Sequence, residues 1–212
     1  MIQIPLGIAI ALCIPRGKFW VGITLALVAL PLLVPWNMIP SLWLSLLNPE
    51  TGILGRILPN LGWPDDWKLS APHTWAVIIA MDVWHWTSLV VILCYSALTT
   101  IPAAYYQAAA IDGASPWQVF RHIQLPRLLN VLLMAILLRF MDSFMIYTEA
   151  FPINAGGPDG ATLFLAVDLG EEIKAFNYGP SAARSAIYFL IIVSVAWLFS
   201  KAQGKLDRAG AT

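Results

Sequence analysis

At 212 residues, 59% hydrophobic and only 11% charged, this chain falls far below the roughly 25% charged content of ordinary soluble domains. A mean hydropathy of +0.73 places it among polytopic membrane proteins, and a formal net charge of zero gives no pull toward nucleic acid. No Gly-x-x-x-x-Gly-Lys-Ser/Thr run occurs, so the chain has no phosphate-cradling loop with which to bind ATP itself.

In chain order, Ile2 to Ile14 is apolar but reaches roughly 20 Å as a helix, where a bilayer core needs about 30 Å. Arg16 and Lys18 follow it rather than precede it, the wrong polarity for a secretory signal. It reads as the second half of a membrane helix. Trp20 to about Leu47 is long enough to span even when tilted. Pro31, Pro35 and Pro40 lie within it and predict kinks rather than a break, since neighbours satisfy freed carbonyls in membrane helices. Asn48-Pro49 with Gly52 ends it by turn chemistry.

Ile53 to Pro72, with Trp63, Trp67, Asp65, Asp66, Arg56 and Lys68, reads as an interfacial loop with a short amphipathic helix, tryptophan being typical of the headgroup belt. Trp75 to Leu98 is the next span. Between it and the following span lies a polar-flecked island, residues 101–126. Its first half is alanine-rich and helix-favouring, and Asp112-Gly113 supplies a stop. Ser115, Pro116 and Gln118 form a capping-box restart, and Pro126 is expected to close the second helix.

Leu128 to about Phe151 spans again. Pro152 to Pro180 is polar and Gly-rich at Asn154-Ala155-Gly156-Gly157-Pro158, then weakly amphipathic and acidic from Asp168 to Phe176. Ala182 to Phe199 is the last span, ahead of a short basic tail. The two cysteines, Cys13 and Cys94, both lie in apolar runs and suit packing rather than a disulfide or metal site. The fold expected is an all-α polytopic membrane protein with about four full transmembrane helices and a partial N-terminal one, forming a single transmembrane domain over residues 1–212.

Orientation follows from the basic residues. The Arg16/Lys18 turn, the 101–126 island and the tail share Arg16, Lys18, Arg121, Arg127, Lys201, Lys205 and Arg208. The opposite side carries Arg56, Lys68 and Lys174 beside Asp65, Asp66, Asp159, Asp168, Glu171 and Glu172. This alternation puts the island and the C-terminus in the cytoplasm.

The island resembles the EAA loop of binding-protein-dependent ABC importers of the maltose-type sugar permease family. Ala108-Ala109, Asp112-Gly113-Ala114, Phe120, Ile123 and Leu125-Pro126 stand in register with that pattern, with Gln107 where the family has Glu. Arg139-Phe140-Met141-Asp142-Ser143-Phe144, the Gly156-Gly157-Pro158 turn and Phe176-Asn177-Tyr178-Gly179 also resemble family wording. The resemblance implies a permease lacking the family's first helix. It also implies a second permease subunit, ATP-hydrolysing subunits that hold ATP and Mg, and an extracytoplasmic substrate-binding protein, all in a bacterial cytoplasmic (inner) membrane. It further implies that Gln107, Ala108, Ala109, Asp112, Gly113, Ala114, Trp117, Phe120, Arg121, Ile123, Leu125 and Pro126 couple this chain to the ATPase. No cofactor is expected in this chain.

Independently of that resemblance, Trp117, Phe120, Arg121 and Gln124 fall on one face at i, i+3, i+4 and i+7, and Trp, Phe and Arg dominate interface energetics. A hairpin packed only on its own bundle is the alternative. A carboxylate at position 107 could pair with an arginine, whereas Gln107 offers neutral hydrogen bonds of roughly half the strength.

Ionisable residues at membrane depth are costly and so are functional candidates. Arg139 and Asp142 are three apart and can pair along one helix, or can line a cavity or gate. Glu149, two turns on, is expected to reach the outer interface. Asp82, Trp84, His85 and Trp86 cluster in one span, where aromatic faces with an acid and a histidine suit a hydroxylated solute, and equally suit helix packing. With Phe144, the residues Asp82, Trp84, His85, Arg139 and Asp142 are the candidate substrate path. One His with one Asp is no metal site, and no catalytic constellation occurs. The function expected is a permease subunit moving a sugar or polyol by alternating access, the alternative being a stand-alone secondary transporter or channel for a small polar solute.

Overall fold

The computed structural model describes residues 2–15 and 17–209, apart from the side chains of residues 18, 202, 203 and 205–209. Arg16 and the side chains of Lys18, Lys205 and Arg208, which entered the charge count, therefore lie outside the described residues. Among the described residues every regular element is helical.

The elements are α1 Gln3–Cys13, α2 Lys18–Leu33, α3 Ile39–Leu46, α4 Ile53–Ile57, α5 Ala71–Thr99, α6 Ala103–Ile111, α7 Pro116–Val119, α8 Leu125–Asp142, α9 Phe151–Asn154, α10 Leu165–Lys174 and α11 Tyr178–Ala209. Among the described residues three helices are long and apolar enough to cross a bilayer: Ala71–Thr99, Pro116–Met145 and Tyr178–Lys201. A fourth span results if Phe19–Leu33 and Trp36–Leu46 are counted together. α1 is a shorter apolar helix of 11 residues, as its length in sequence implied.

Four boundaries differ from expectation. Pro31 is accommodated inside α2, but the helix ends at Leu33, and after Pro35 the chain restarts as a 3-10 turn, Trp36–Met38, leading into α3. Two prolines within six residues of each other each remove a donor and press on the preceding turn, which breaks the helix rather than kinking it. The helix that includes α8 ends near Asp142–Met145, short of Phe151, and α11 begins four residues before Ala182 and runs well beyond Phe199.

The fourth difference lies at Pro126, which does not end its helix. Phe120–Gln124 forms a π-turn in which the Leu125 N–H donates to the Phe120 carbonyl, and α8 continues directly from it. A proline ring presses on the carbonyl four residues back, here His122, and supplies no N–H. The wide turn immediately before Pro126 relieves that pressure and lets the helix run on, a common use of π-bulges.

The chain forms two compact units, each assembled from segments distant in sequence. One comprises residues 1–32, 86–140 and 193–212; the other comprises 33–85 and 141–192. In the first, Ala11, Ile14, Val90, Val91, Cys94, Leu128 and Leu132 form the core. α1 packs closely on α5 there: a Cβ added at Gly7 would lie 2.5 Å from Val90 Cγ1. In the second, Ile39, Leu47, Trp67, Val77, Ile78, Met81, Ala150, Ile153 and Val167 form the core, ringed by Trp36, Trp43, Trp63 and Trp84. Half of the most apolar stretch of α5 is buried within the chain, against none of that of α11. On α11, Ile187, Phe189, Leu190, Ile191, Val193, Trp197 and Leu198 are exposed.

Candidate functional site

The 101–126 island is built by local backbone chemistry. α6 ends on Asp112, and Gly113 follows with φ +66°. The Gly113 N–H donates to the Ala110 carbonyl at 3.3 Å and the Ala114 N–H to the Ala109 carbonyl at 2.9 Å. That pair of bonds is the Schellman closure, whose C′ residue must sit in the left-handed region. One residue later the chain restarts. The Ser115 Oγ accepts from the Gln118 N–H at 3.4 Å, the Gln118 Oε1 accepts from the Ser115 N–H at 2.6 Å, and Pro116 takes the first helical position. Both caps read from the sequence are present, so the connection between the two helices is a short, internally bonded turn.

Gln107, Ala108, Asp112, Gly113, Trp117, Arg121 and Pro126 are exposed; Ala114, Phe120, Ile123 and Leu125 are half-buried; Ala109 is buried. On the expected common face the Trp117 and Phe120 rings do meet, with centroids 5.5 Å apart, while Gln124 turns away from it. Phe120 and Leu125 pack against the core of the first unit, and the Gln124 amide donates to the Tyr106 hydroxyl on α6 at 3.5 Å. Trp117, at 64% exposure, and Arg121 remain outward. For Gln124 the π-turn Phe120–Gln124 is the reason: it shifts the angular phase of the helix beyond Phe120, so a simple i+7 count from Trp117 no longer holds.

Sequence reasoning passed over Ile111, which is 86% exposed, and Tyr105, which is 49% exposed. With Trp117 they give the element an unusually apolar outer surface. An open groove of about 460 Å³ runs between α6 and the following helix, lined by Tyr105, Ala108, Gly113, Val119 and His122 among others. His122 Nδ1 donates to the Gln118 carbonyl at 3.0 Å.

The candidate substrate-path residues fall in both units. In the second unit, Trp84 meets Trp43 edge-on with ring centroids 6.1 Å apart, Asp82 is half-buried and His85 is buried. Phe144 lies 6.4 Å from the Tyr188 ring, and Asp142 is half-buried. In the first unit the Arg139 guanidinium lies over the Trp86 ring, 4.5 Å from its centroid, a cation–π contact that gains strength when water is excluded.

The Glu149 side chain is turned into the second unit. It is 4% exposed, and the Trp36 indole N–H donates to its Oε1 at 2.5 Å across 113 residues of sequence. Its Oε2 is buried with no hydrogen-bond partner. The restart after Pro35 is what brings Trp36 to this carboxyl. No composition signal could have found the contact.

The Gly156-Gly157-Pro158 turn is likewise anchored. Ala155 and Gly156 adopt φ 51° and 94° after α9, the Thr162 hydroxyl donates to the Gly157 carbonyl at 2.6 Å, and the Asn154 amide donates to the Lys68 carbonyl at 3.1 Å. The Trp75 indole donates to the Ala161 carbonyl at 2.9 Å. Lys174, on α10, pairs with Glu171 at 3.0 Å and lies 3.8 Å over the Phe151 ring. The Tyr147 hydroxyl and the Glu171 carboxylate raise its pKa above the ordinary lysine value. Among the described residues no group of three or more His, Cys, Asp or Glu side chains could hold a metal ion.

Residues 3–207 match the model of the family described as "Binding-protein-dependent transport system inner membrane component". The trehalose/maltose transport system permease protein MalF of Thermococcus litoralis is 30% identical over 197 residues, covering 92% of this chain and 67% of that protein. The sn-glycerol-3-phosphate transport system permease protein UgpA of Escherichia coli is 30% identical over 185 residues, covering 82% of this chain and 62% of that one. The chain therefore spans about two thirds of the length of these curated relatives. A crystal structure of a bacterial alginate ABC transporter, in complex with its alginate pentasaccharide-bound periplasmic protein, superposes with a TM-score of 0.75 at 18% identity, covering 94% of this chain and 71% of that one. At that identity the likeness is one of fold.

Proposed function

The chain belongs to the family of binding-protein-dependent transport system inner membrane components, multi-pass permeases of ABC importers, and on that premise we propose that it passes a sugar or polyol across the membrane by alternating access driven by separate ATPase subunits. A second permease subunit and an extracytoplasmic binding protein complete the assembly, and ATP and Mg belong to the ATPase rather than to this chain. The names of its relatives, a trehalose/maltose permease and a glycerol phosphate permease, support a hydroxylated solute.

The observation that carries the coupling role is the doubly capped α6–α7 turn. A permease without a nucleotide site must receive force through a stiff element. Here a Schellman closure and a capping box leave no slack between two helices, and Tyr105, Ile111 and Trp117 stand outward. Aromatic and long aliphatic side chains exposed to water are the anchors that bury best in a partner's cleft. The Arg121, Arg127 and Lys201 side of the charge count supports a cytoplasmic position for this element. Asp82, Trp84, His85, Arg139, Asp142 and Phe144 are the side chains assigned to the solute path, where aromatic faces stack on sugar rings and the polar groups bond hydroxyls.

Affinity purification of the tagged chain from its native membrane tests the reading. An ATPase bearing a phosphate-binding loop should co-purify, and Ile111→Asp with Trp117→Ala should release it while the chain stays in the membrane. A chain that catalyses solute flux in proteoliposomes with no ATPase present would instead be a stand-alone carrier.

A further inference from the structure

The acidic helix α10 and the head of α11 are joined by more than their connecting residues. The Phe176 N–H donates to the Ile173 carbonyl at 3.1 Å and the Asn177 N–H to the Glu172 carbonyl at 3.0 Å, with Phe176 itself at φ +61°. This is a second Schellman closure, built on a bulky residue where glycine is the usual choice. A non-glycine side chain held in the left-handed region costs free energy and persists only where its surroundings over-determine it. α11 starts at Tyr178, so only three residues separate the helices, and the Ser181 hydroxyl donates to the Asn177 carbonyl at 2.6 Å.

Across this corner Arg184 acts as a brace. Its Nη1 pairs with Asp168 Oδ2 and its Nη2 with Glu172 Oε1 at 3.1 Å. Asp168 and Glu172 are one turn apart on α10, so one planar guanidinium spans two carboxylates, the fork geometry that distinguishes arginine from lysine. α10 has little else to hold it. Val167 is its one fully buried side chain among those described, Gly170 rests against the Tyr147 ring, and Leu165 and Ile173 are each 46% exposed. At the far end Lys174 lies over Phe151. With so small an apolar grip, the angle between α10 and the last span depends on the ion pairs.

We propose that Arg184 is a positioning residue that makes α10 and the head of the last span one rigid body, so that α10 is carried with that span through the transport cycle instead of opening away from it as a flap. The inference rests on the alternating-access reading above, and it goes beyond that reading by naming which elements move together.

The test uses the full importer in proteoliposomes with its binding protein, in a Cys13→Ser, Cys94→Ala background. Arg184→Ala should lower coupled uptake about fivefold, the scale of a partly exposed ion pair, with membrane content unchanged. The reversed pair Asp168→Arg with Arg184→Asp should recover part of it. Asp168→Cys with Arg184→Cys should show the same lowered uptake alone, regain it when joined by a short reducible bis-thiosulfonate linker, and lose it again on reduction. Uptake abolished by the linker would overturn the proposal in favour of a moving flap, and full activity of Arg184→Ala would overturn it by making the brace dispensable. If the unmodified importer shows no ATP-driven uptake at all, the permease reading itself has failed, a result separate from either.

Discussion

Gly113 is the position where a single substitution separates backbone geometry from contact chemistry. It lies at φ +66°, and a Cβ built there meets nothing within 4 Å, so a larger residue is resisted by its own backbone alone. An L-residue forced into the left-handed region costs roughly 1–2 kcal/mol, more when β-branched, while asparagine tolerates it better. If the turn instead opens, the bonds to Ala110 and Ala109 are lost, at about 1 kcal/mol each. Either route removes about 1–2 kcal/mol from the docking-competent geometry, lowering its population about 5- to 30-fold. Coupled uptake in proteoliposomes should therefore fall in the order Gly, Asn, Ala, Val, with the melting temperature falling modestly in the same order, while membrane insertion is unchanged, since no core packing is touched. ATP hydrolysis should decouple from uptake in the same order. Asn as damaging as Val would refute the backbone argument and point to a partner surface that needs no side chain there. Val as active as Gly would remove the turn from the coupling role.

Two further substitutions test the second unit. Trp36→Phe deletes the indole that donates to Glu149 and leaves a buried carboxyl without it, which should destabilise the detergent-solubilised protein by about 1–3 kcal/mol. Trp36→Phe combined with Glu149→Leu should recover most of that loss in a fluorescence-detected melting assay, because removing both polar partners is far cheaper than orphaning one. Phe176→Gly should raise the melting temperature, since it relieves about 1–2 kcal/mol of left-handed strain and Phe176 is 77% exposed. A lower melting temperature would mean that the Phe176 ring contributes packing that outweighs the strain.

What could be read from the chain alone was whatever neighbours in sequence decide. The membrane class followed from composition. The stop at Gly113 and the restart at Ser115 and Gln118 followed from hydrogen bonds that close within five residues, where residue type dictates conformation directly. The spans around α5 and α11 followed from apolar length. The prolines marked where local reasoning failed, in both directions. Pro35 broke a helix expected to kink, and Pro126 was absorbed into one expected to end, because each outcome depends on whether adjoining turns can widen and what they pack against. Phe120 kept its contact with Trp117, whereas Gln124 left the expected face once the π-turn shifted the phase of the helix.

The contacts beyond any local rule are the long ones. Trp36 meets Glu149 across 113 residues, and Trp75 caps the Gly156-Gly157-Pro158 turn across 86. Arg184 drew no attention as a cation at the start of a span, yet it bridges two acids of the preceding helix. A charge or an indole N–H carries no address in the sequence. Where it is buried it must find a partner, and only the packing of distant helices determines which one lies within reach.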